Sequence, residues 1–160
     1  MTVIKDGVIA ANLWSHVADG DLVPSGNVTI SLERWLAEKD SLLGHDGAVG
    51  VRLQASDAPE RIAEDLEHLG LVVLNMAAFT DGRVFTQARI IRERFGYRGE
   101  IRACGDFLRD QMFYLSRMGV NAFEFPEGTD LNDRLKAFDE FSVTYQAATD
   151  TPEPLYRRRA

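Results

Sequence analysis

The chain has 160 residues, of which 45% are hydrophobic and 27% charged, and its formal net charge is −7. Such a length and composition are typical of one soluble globular domain with a core of its own. The negative charge argues against nucleic acid as a partner, because phosphate binding needs a basic surface. Apolar runs stay well below the roughly 18 residues of a membrane span, and the N-terminal residues lack a signal-peptide pattern, so we expect a cytoplasmic location.

The first residues predict β structure followed by a helix. Asp6-Gly7 stands between two short apolar runs, which favours a hairpin. Residues 28–30 predict a further strand, and together these features make 1–30 an N-terminal β segment. Ser31 is a good N-cap for a helix that Gly44 ends.

A regular alternation of strands and helices follows. Apolar runs predict strands at 48–53, 71–76, 101–104 and 120–125, and helical periodicity predicts helices at 57–69, 83–95, 106–118 and 131–147. Four consecutive strand–helix units indicate an α/β fold with a mainly parallel sheet and right-handed crossovers. We expect a partial TIM-like barrel, with an open doubly wound sheet as the alternative. Residues 1–150 are predicted to form a single domain, and 151–160 a flexible C-terminal tail.

Carboxylates stand at the ends of these predicted strands, where ligands bind in both architectures. Asp81, Asp106 and Glu124 are the candidate catalytic residues, as acid, base or Mg²⁺ ligands. Helix capping is the alternative for Asp81 and Asp106, and it is the interpretation we favour for Asp57. Mg²⁺ is one option for these carboxylates, but we commit none of them to a metal site, and the cofactor is not identified by the sequence.

Two arginines stand at predicted helix entrances, a position that favours anions. Arg83 and Arg109, with the helix N-termini, are predicted to bind sulfate, phosphate or a carboxylate. Ordinary surface ion pairs, such as Arg109 with Asp106, are the alternative.

Strand alternation brings a second set of charges together. Arg52, Arg102 and Glu124 are predicted to share the concave side of a curved sheet, as part of a ligand site or as a structural salt-bridge network. Cys104, the only cysteine, is predicted to be a small core residue rather than a reactive thiolate. The three histidines fit no ligand spacing or catalytic triad, and none is assigned a function.

Two apolar side chains fall outside the predicted inward faces of their helices. Ile90 and Phe113 are predicted to lie on the outer faces of neighbouring helices. We therefore expect these residues to contact a second copy of the chain, most simply in a two-fold dimer, or another protein.

The stretch FTDGR…TQARIIRERFGYRGEIRACGDFLRDQMFYLSRMGVNAFEF resembles the core of a proteobacterial family of small proteins of unknown function. The resemblance extends to VTISLERWLAEKDSLL and to the ending FDEFSVTYQAA…PLYRRR. Family members are labelled oxidoreductases involved in sulfite reduction, because their genes tend to lie beside those for sulfite reductase and sulfate assimilation. The family pattern points to Arg89, Asp110 and Gln111 as ligand-binding residues, in addition to residues named above. Members commonly have tyrosine at the position of Phe85 and cysteine at that of Met118.

This resemblance implies an accessory protein of assimilatory sulfate and sulfite reduction. It would bind sulfite reductase, the electron donor of that enzyme, or a sulfur oxyanion. Whether the chain is itself an enzyme stays open, because the family label suggests an oxidoreductase whereas the sequence carries no redox motif. One alternative is an enzyme that acts on a small anionic substrate through the strand-end carboxylates, with Mg²⁺ as a candidate cofactor. Another is a non-catalytic oligomeric scaffold.

Overall fold

The fold is built on one eight-stranded sheet, seen in a computed structural model that describes residues 2–158. The strands are β1 (Thr2–Lys5), β2 (Val8–Ala11), β3 (Ser15–His16), β4 (Val28–Ser31), β5 (Val49–Gln54), β6 (Leu69–Met76), β7 (Glu100–Gly105) and β8 (Ala122–Glu124). The helices are α1 (Leu32–Leu42), α2 (Arg83–Arg89), α3 (Arg109–Arg117), α4 (Leu131–Leu135) and α5 (Leu155–Arg158). A π-helical turn, Ile90–Arg94, continues α2.

The order of the strands determines the architecture. They lie in the order β2-β1-β8-β7-β6-β5-β4-β3. The strands β3 to β8 are parallel to one another, and β1 pairs antiparallel with both β2 and β8. Because β4 to β8 are neighbours in chain order, each right-handed crossover advances in the same direction and returns on the same face of the sheet. The sheet is thus a curled half-barrel, and the predicted partial barrel is confirmed. The doubly wound alternative is wrong, because that fold requires the strand order to reverse.

The main hydrophobic core lies between the helices and the convex face of the sheet. Ile30, Leu74 and Phe123 come from the strands, and Trp35 and Ile91 from the helical layer. All five are at most 1% exposed. The opposite, concave face carries the alternate residues of the same strands, and these include most of the polar side chains discussed below.

The N-terminal β segment is divided between the two edges of the sheet. The predicted hairpin is confirmed: Asp6 and Gly7 both have positive φ, 49° and 76°, as the tight turn between β1 and β2 requires. Because β2 and β3 lie at opposite edges, the connecting residues run across the concave face. Trp14 packs there against Leu71, Val73 and Cys104.

The predicted helix at 57–69 is wrong. Two 3₁₀ turns, Pro59–Ile62 and Leu66–His68, take its place, and β6 already begins at Leu69. The buried Asp65 carboxylate lies between the turns. It accepts a 2.8 Å hydrogen bond from Trp35 Nε1 and forms an ion pair with Lys39 of α1. A contact with a helix 30 residues earlier in the chain thus overrides the local helical pattern.

The predicted closing helix at 131–147 is also wrong over most of its length. It is helical only in α4 and in the 3₁₀ turn Lys136–Phe138. The residues that follow are attached to α3 through Arg117: its carbonyl accepts hydrogen bonds from Thr149, and its guanidinium contacts Asp150. The other predicted helices are present, α1 at 32–42, α2 with its π-helical end, and α3 beginning at 109 rather than 106.

The division into a domain at 1–150 and a flexible tail at 151–160 stays a prediction. The described part of that tail contains α5, and Leu155 N donates to Tyr145 O. Met1, Arg159 and Ala160 lie outside the described residues. Within residues 2–158, no helix has both the length and the apolar character needed to cross a membrane.

We expect Asp65→Ala to lower the free energy of unfolding by about 2–3 kcal/mol, because it leaves the buried indole N–H of Trp35 without its acceptor. Burial alone would raise the pKa of Asp65, but hydrogen bonds from Lys39 and Trp35 lower it below the usual carboxyl value. Stability that comes from a depressed pKa is present above the ordinary value of about 3.9 and is lost as the pH falls. The difference in the free energy of unfolding between wild type and Asp65→Ala should therefore become smaller below about pH 4.

Urea unfolding at neutral and acidic pH measures both effects. Glu64→Ala is the matched control, since this neighbouring carboxylate is exposed and its loss should cost less than about 0.5 kcal/mol. An Asp65→Ala protein as stable as the control would show that the buried hydrogen bond is not what fixes the two turns.

Candidate functional site

A chain of five alternating charges runs along the concave face. Lys5 Nζ lies 2.8 Å from Glu100 Oε2, and Glu100 Oε1 lies 2.6 Å from Arg102 Nη2. Arg102 Nη1 is 3.2 Å from Glu124 Oε2, and Glu124 Oε1 is 3.1 Å from Arg52 Nη2. The chain begins and ends on a cation, so three cations face two carboxylates.

Arg102 is the most enclosed member of this charge chain. Its side chain is 2% exposed, and its guanidinium donates to Glu100, Glu124 and the side-chain oxygen of Asn12. A guanidinium removed from water must have such partners, because an unpaired buried charge costs several kcal/mol. Asn12 belongs to the segment that crosses the concave face, so the charge chain also fixes the path of that segment.

Arg52 is the end of the charge chain that reaches the carboxyl edge of the parallel strands. Its Nε donates to Thr29 Oγ1 at 3.1 Å, and its Nη1 lies 3.5 Å from Cys104 Sγ. Arg52 lines a cleft of about 310 Å³ together with His16, Ala18, Asp19, Ser31, Gln54 and Asn75. The carboxyl edge of a parallel sheet is where α/β proteins bind their ligands.

The polar side chains of this cleft, which we call the Arg52 cleft, are linked by hydrogen bonds. The Ser31 hydroxyl donates to Asp19 at 2.6 Å, and Asn75 Nδ2 donates to Gln54 Oε1 at 2.7 Å. Cys104 Sγ lies 3.5 Å from Asn75 Oδ1. The lining therefore combines one guanidinium, one carboxylate, an imidazole, a hydroxyl and two amides, which suits a small polar ligand.

A second cleft, of about 420 Å³, opens on the β8 side of Cys104. It is lined by Cys104, Gly105, Asp106, Glu124, Phe125 and Pro126. Gly105 has φ +95°, and a Cβ there would lie 2.3 Å from Met76 O, so only glycine lets Asp106 N donate to that carbonyl at 2.7 Å. This turn places Asp106 in the same cleft as Glu124.

The Cys104 thiol between the two clefts is protonated at neutral pH. Burial raises the pKa of Cys104 to about 11, and the neighbouring Arg52 offsets this only in part. Because the thiolate is the nucleophilic form, the position does not favour thiol chemistry at neutral pH. The side chain is also 5% exposed and packs against Leu71 and Val73.

Asp81 and Arg83 form a local pair. Arg83 donates through Nε at 2.9 Å and Nη2 at 2.6 Å to the two carboxylate oxygens of Asp81. These hydrogen bonds lower the pKa of Asp81 to about 2. The two residues do not line either concave-face cleft, and the catalytic role of Asp81 and the anion-binding role of Arg83 stay predictions.

The other residues predicted on α2 and α3 have separate partners. Arg109 pairs with Glu140 and Asp133 rather than Asp106, and Arg89 pairs with Glu93 at 2.8 Å. Gln111 Nε2 donates to Phe79 O and its Oε1 accepts from Leu108 N, so it joins the loop after β6 to the start of α3. Asp110 is exposed in the first turn of α3. Their roles in ligand binding stay predictions.

The two predicted interface residues lie in different surroundings. Ile90 lines a surface groove of about 410 Å³ between α2 and α3 with Phe85, whose ring packs 5.3 Å from that of the exposed Tyr114. Phe113 is half-buried against Phe141 of the same chain, with ring centroids 5.1 Å apart. An interface at these residues, and the homodimer, stay predictions.

Several polar residues of the concave face were missed by sequence reasoning. Asn75 carries the one visible signal, because it interrupts the apolar run of β6 at a position that alternation places on the same face as Val73. Ser31 was interpreted only as a helix cap, a role it does have through Arg34 N, and His16 was assigned no function. Among residues 2–158, no group of three His, Cys, Asp or Glu side chains has the geometry of a metal site.

These features define an α/β half-barrel protein with a charged concave face and a polar cleft at the carboxyl edge of its parallel strands. Residues 50–156 match a bacterial family described as "Bacterial protein of unknown function (DUF934)", and the chain belongs to this family. A comparison with curated proteins finds no match.

We expect Cys104 to react with iodoacetamide at least tenfold more slowly in the folded protein than in urea at pH 8, because the thiol is buried and its pKa is raised. The folded-state rate should increase toward pH 11 as the thiolate forms, provided that the fold persists. Mass spectrometry of quenched samples gives both rates. Equal rates in the folded and unfolded protein would show an accessible, reactive thiol.

Proposed function

We propose that this protein is an accessory protein of assimilatory sulfate and sulfite reduction that binds a small sulfur oxyanion in the Arg52 cleft. The pathway follows from the resemblance described above. The binding site rests on one observation, the charge chain of three cations and two carboxylates that ends at Arg52 beside a cleft.

The excess cation is the physical reason for an anionic ligand. Glu124 is shared between Arg102 and Arg52, and Glu100 between Lys5 and Arg102, so the charge chain has one cation more than it has carboxylates. The one carboxylate of the cleft, Asp19, accepts a hydrogen bond from Ser31. A partly buried positive charge attracts an anion more strongly than an exposed one, because less water screens the interaction. Arg52 is the cation of the charge chain that lines a cleft, and its guanidinium geometry suits a tetrahedral or pyramidal oxyanion.

Neutral side chains supply further contacts for such a ligand. The amides of Gln54 and Asn75 line the cleft around Arg52, whereas the Ser31 hydroxyl there already donates to Asp19. Hydrogen bonds from groups of this kind add orientation to the attraction of the guanidinium.

An enzyme acting on a small anion is the second candidate. Asp106 and Glu124 line one cleft, as an acid–base pair would, and this cleft adjoins the Arg52 cleft through Cys104. A chemical conversion of the ligand, detected by mass spectrometry of the titrated anion, would favour the enzyme over the binding protein.

We expect Arg52→Gln to weaken sulfite binding at least tenfold, because it removes the guanidinium at the end of the charge chain. Isothermal titration of sodium sulfite into wild type and variant measures the affinities. Arg83→Gln is the matched control: it removes an exposed arginine paired with a carboxylate, at the other predicted anion site. In Arg52→Gln the Glu124 carboxylate loses Arg52 and keeps its ion pair with Arg102. Thermal unfolding checks that this loss does not destabilise the variant.

Two outcomes would contradict this placement. Loss of binding in Arg83→Gln and not in Arg52→Gln would move the site to the entrance of α2. Equal binding in all three proteins would remove both sites.

The pathway itself is tested by growth. A deletion strain should grow poorly with sulfate as the sulfur source and normally with cysteine, and wild-type protein should restore growth. Cys104→Ser should restore growth as well, because the buried, protonated thiol has no part in the proposed function. A deletion strain that grows on sulfate as well as its parent would contradict the proposal.

A further inference from the structure

Two side chains of the Arg52 cleft, His16 and Arg52, contact the same buried residue, Thr29. His16 Nδ1 lies 3.2 Å from the backbone carbonyl of Thr29, and Arg52 Nε donates to the Thr29 hydroxyl at 3.1 Å. Both side chains line the cleft. Thr29 is 1% exposed and lies in β4, which is paired on both sides, with β3 and with β5.

The hydrogen bond of His16 determines which ring nitrogen carries the proton. A carbonyl oxygen only accepts hydrogen bonds, so Nδ1 is the N–H of the neutral ring and Nε2 is an acceptor. The other charged or titratable groups that line the cleft are Arg52 and Asp19, and the Asp19 carboxylate is also an acceptor. With the His16 ring neutral, the cleft presents a strong donor at Arg52 and two acceptors, His16 Nε2 and the Asp19 carboxylate.

A ligand that fits this arrangement needs oxygen acceptors and a proton of its own. An oxyanion that keeps a proton can accept from Arg52 and donate to His16 Nε2 or to Asp19. Sulfate at neutral pH has no proton to donate, so its oxygens would meet the lone pairs of these acceptors. His16 and Asp19 are exposed, so the discrimination against sulfate comes from the repulsion between its oxygens and these two acceptors, each of which a protonated oxyanion can meet with a hydrogen bond.

We propose that the Arg52 cleft selects oxyanions that carry a proton, such as hydrogen sulfite and hydrogen phosphate, over sulfate, and that His16 is the specificity-determining residue. This inference rests on the proposed function and names the ligand class of the same site. It would let the protein bind the reduced oxyanion in the presence of excess sulfate.

Titration of three sodium salts into the wild-type protein tests the selection. At pH 7 sulfite and phosphate should bind at least about tenfold more tightly than sulfate. At pH 9 sulfite has lost its proton whereas hydrogen phosphate keeps one, so sulfite binding should weaken and phosphate binding should persist. A purely electrostatic site would instead bind the dianions at least as well as the monoanions.

His16→Lys tests the residue. It replaces the acceptor with a cationic donor, so sulfate binding should increase and the preference for sulfite at pH 7 should fall to less than about threefold. The substitution leaves the Thr29 carbonyl its hydrogen bond from Val17 N at 2.9 Å, which favours a folded variant. His45→Lys is the matched control, because His45 also contacts a backbone carbonyl, Gly26 O, and does not line the cleft.

The outcomes separate this inference from the proposed function. Binding of all three anions with equal affinity would overturn the selection and leave oxyanion binding in place. Retention of full selectivity in His16→Lys would overturn the role of His16. Binding of none of the three anions would overturn the proposed function and the selection with it.

Discussion

The guanidinium of Arg102 is the constraint on which the concave face depends. A charge with 2% of its side chain exposed requires partners on several sides, and here these come from three parts of the chain. Glu100 lies on the same strand, Glu124 on the next strand, and Asn12 on the segment that crosses the sheet. Satisfying this one group therefore fixes β8 against β7 and holds the crossing segment over the sheet.

The same requirement shapes the candidate site. Glu124 contacts Arg102 and Arg52 at once, so Arg52 is held at the carboxyl edge by a carboxylate that it shares with a second guanidinium. Net stability does not explain this set of charges, since buried ion pairs contribute little more to stability than well-packed apolar residues of similar volume. What the charge chain provides is a positioned guanidinium, that of Arg52, in the lining of the cleft.

Sequence reasoning predicted the parts of this fold that depend on local pattern. The apolar runs of β5, β6 and β7 and the alternation that places Arg52, Arg102 and Glu124 on one face are visible in the sequence, and the structure brings these three side chains together. The N-terminal strand β4 was predicted, but not its place in the parallel sheet, because pairing with β5 is set by tertiary packing.

The errors have physical causes that no local pattern contains. Residues 57–69 have helical periodicity, yet the contact of Asp65 with Trp35 replaces the helix with two turns. The ion pair of Arg109 with Glu140 depends on where the irregular segment after α4 lies. Residue spacing predicts neither the path of that segment nor the ion pair. His16 and Ser31 approach Arg52 only through the order of the strands, which explains why the Arg52 cleft was not predicted as a unit.

The pairing of β1 with β8 has a consequence for how the chain acquires its structure. Ile4 is aligned with Phe123, so the hairpin formed by the first residues has no sheet to join until the chain has been extended past β8. Contacts between residues so distant in sequence slow folding, because the entropy of closing the intervening loop is lost before the contacts can stabilise the structure. During synthesis the hairpin must therefore wait with its edges unpaired until β8 has been made, so completion of the sheet is a late step of folding.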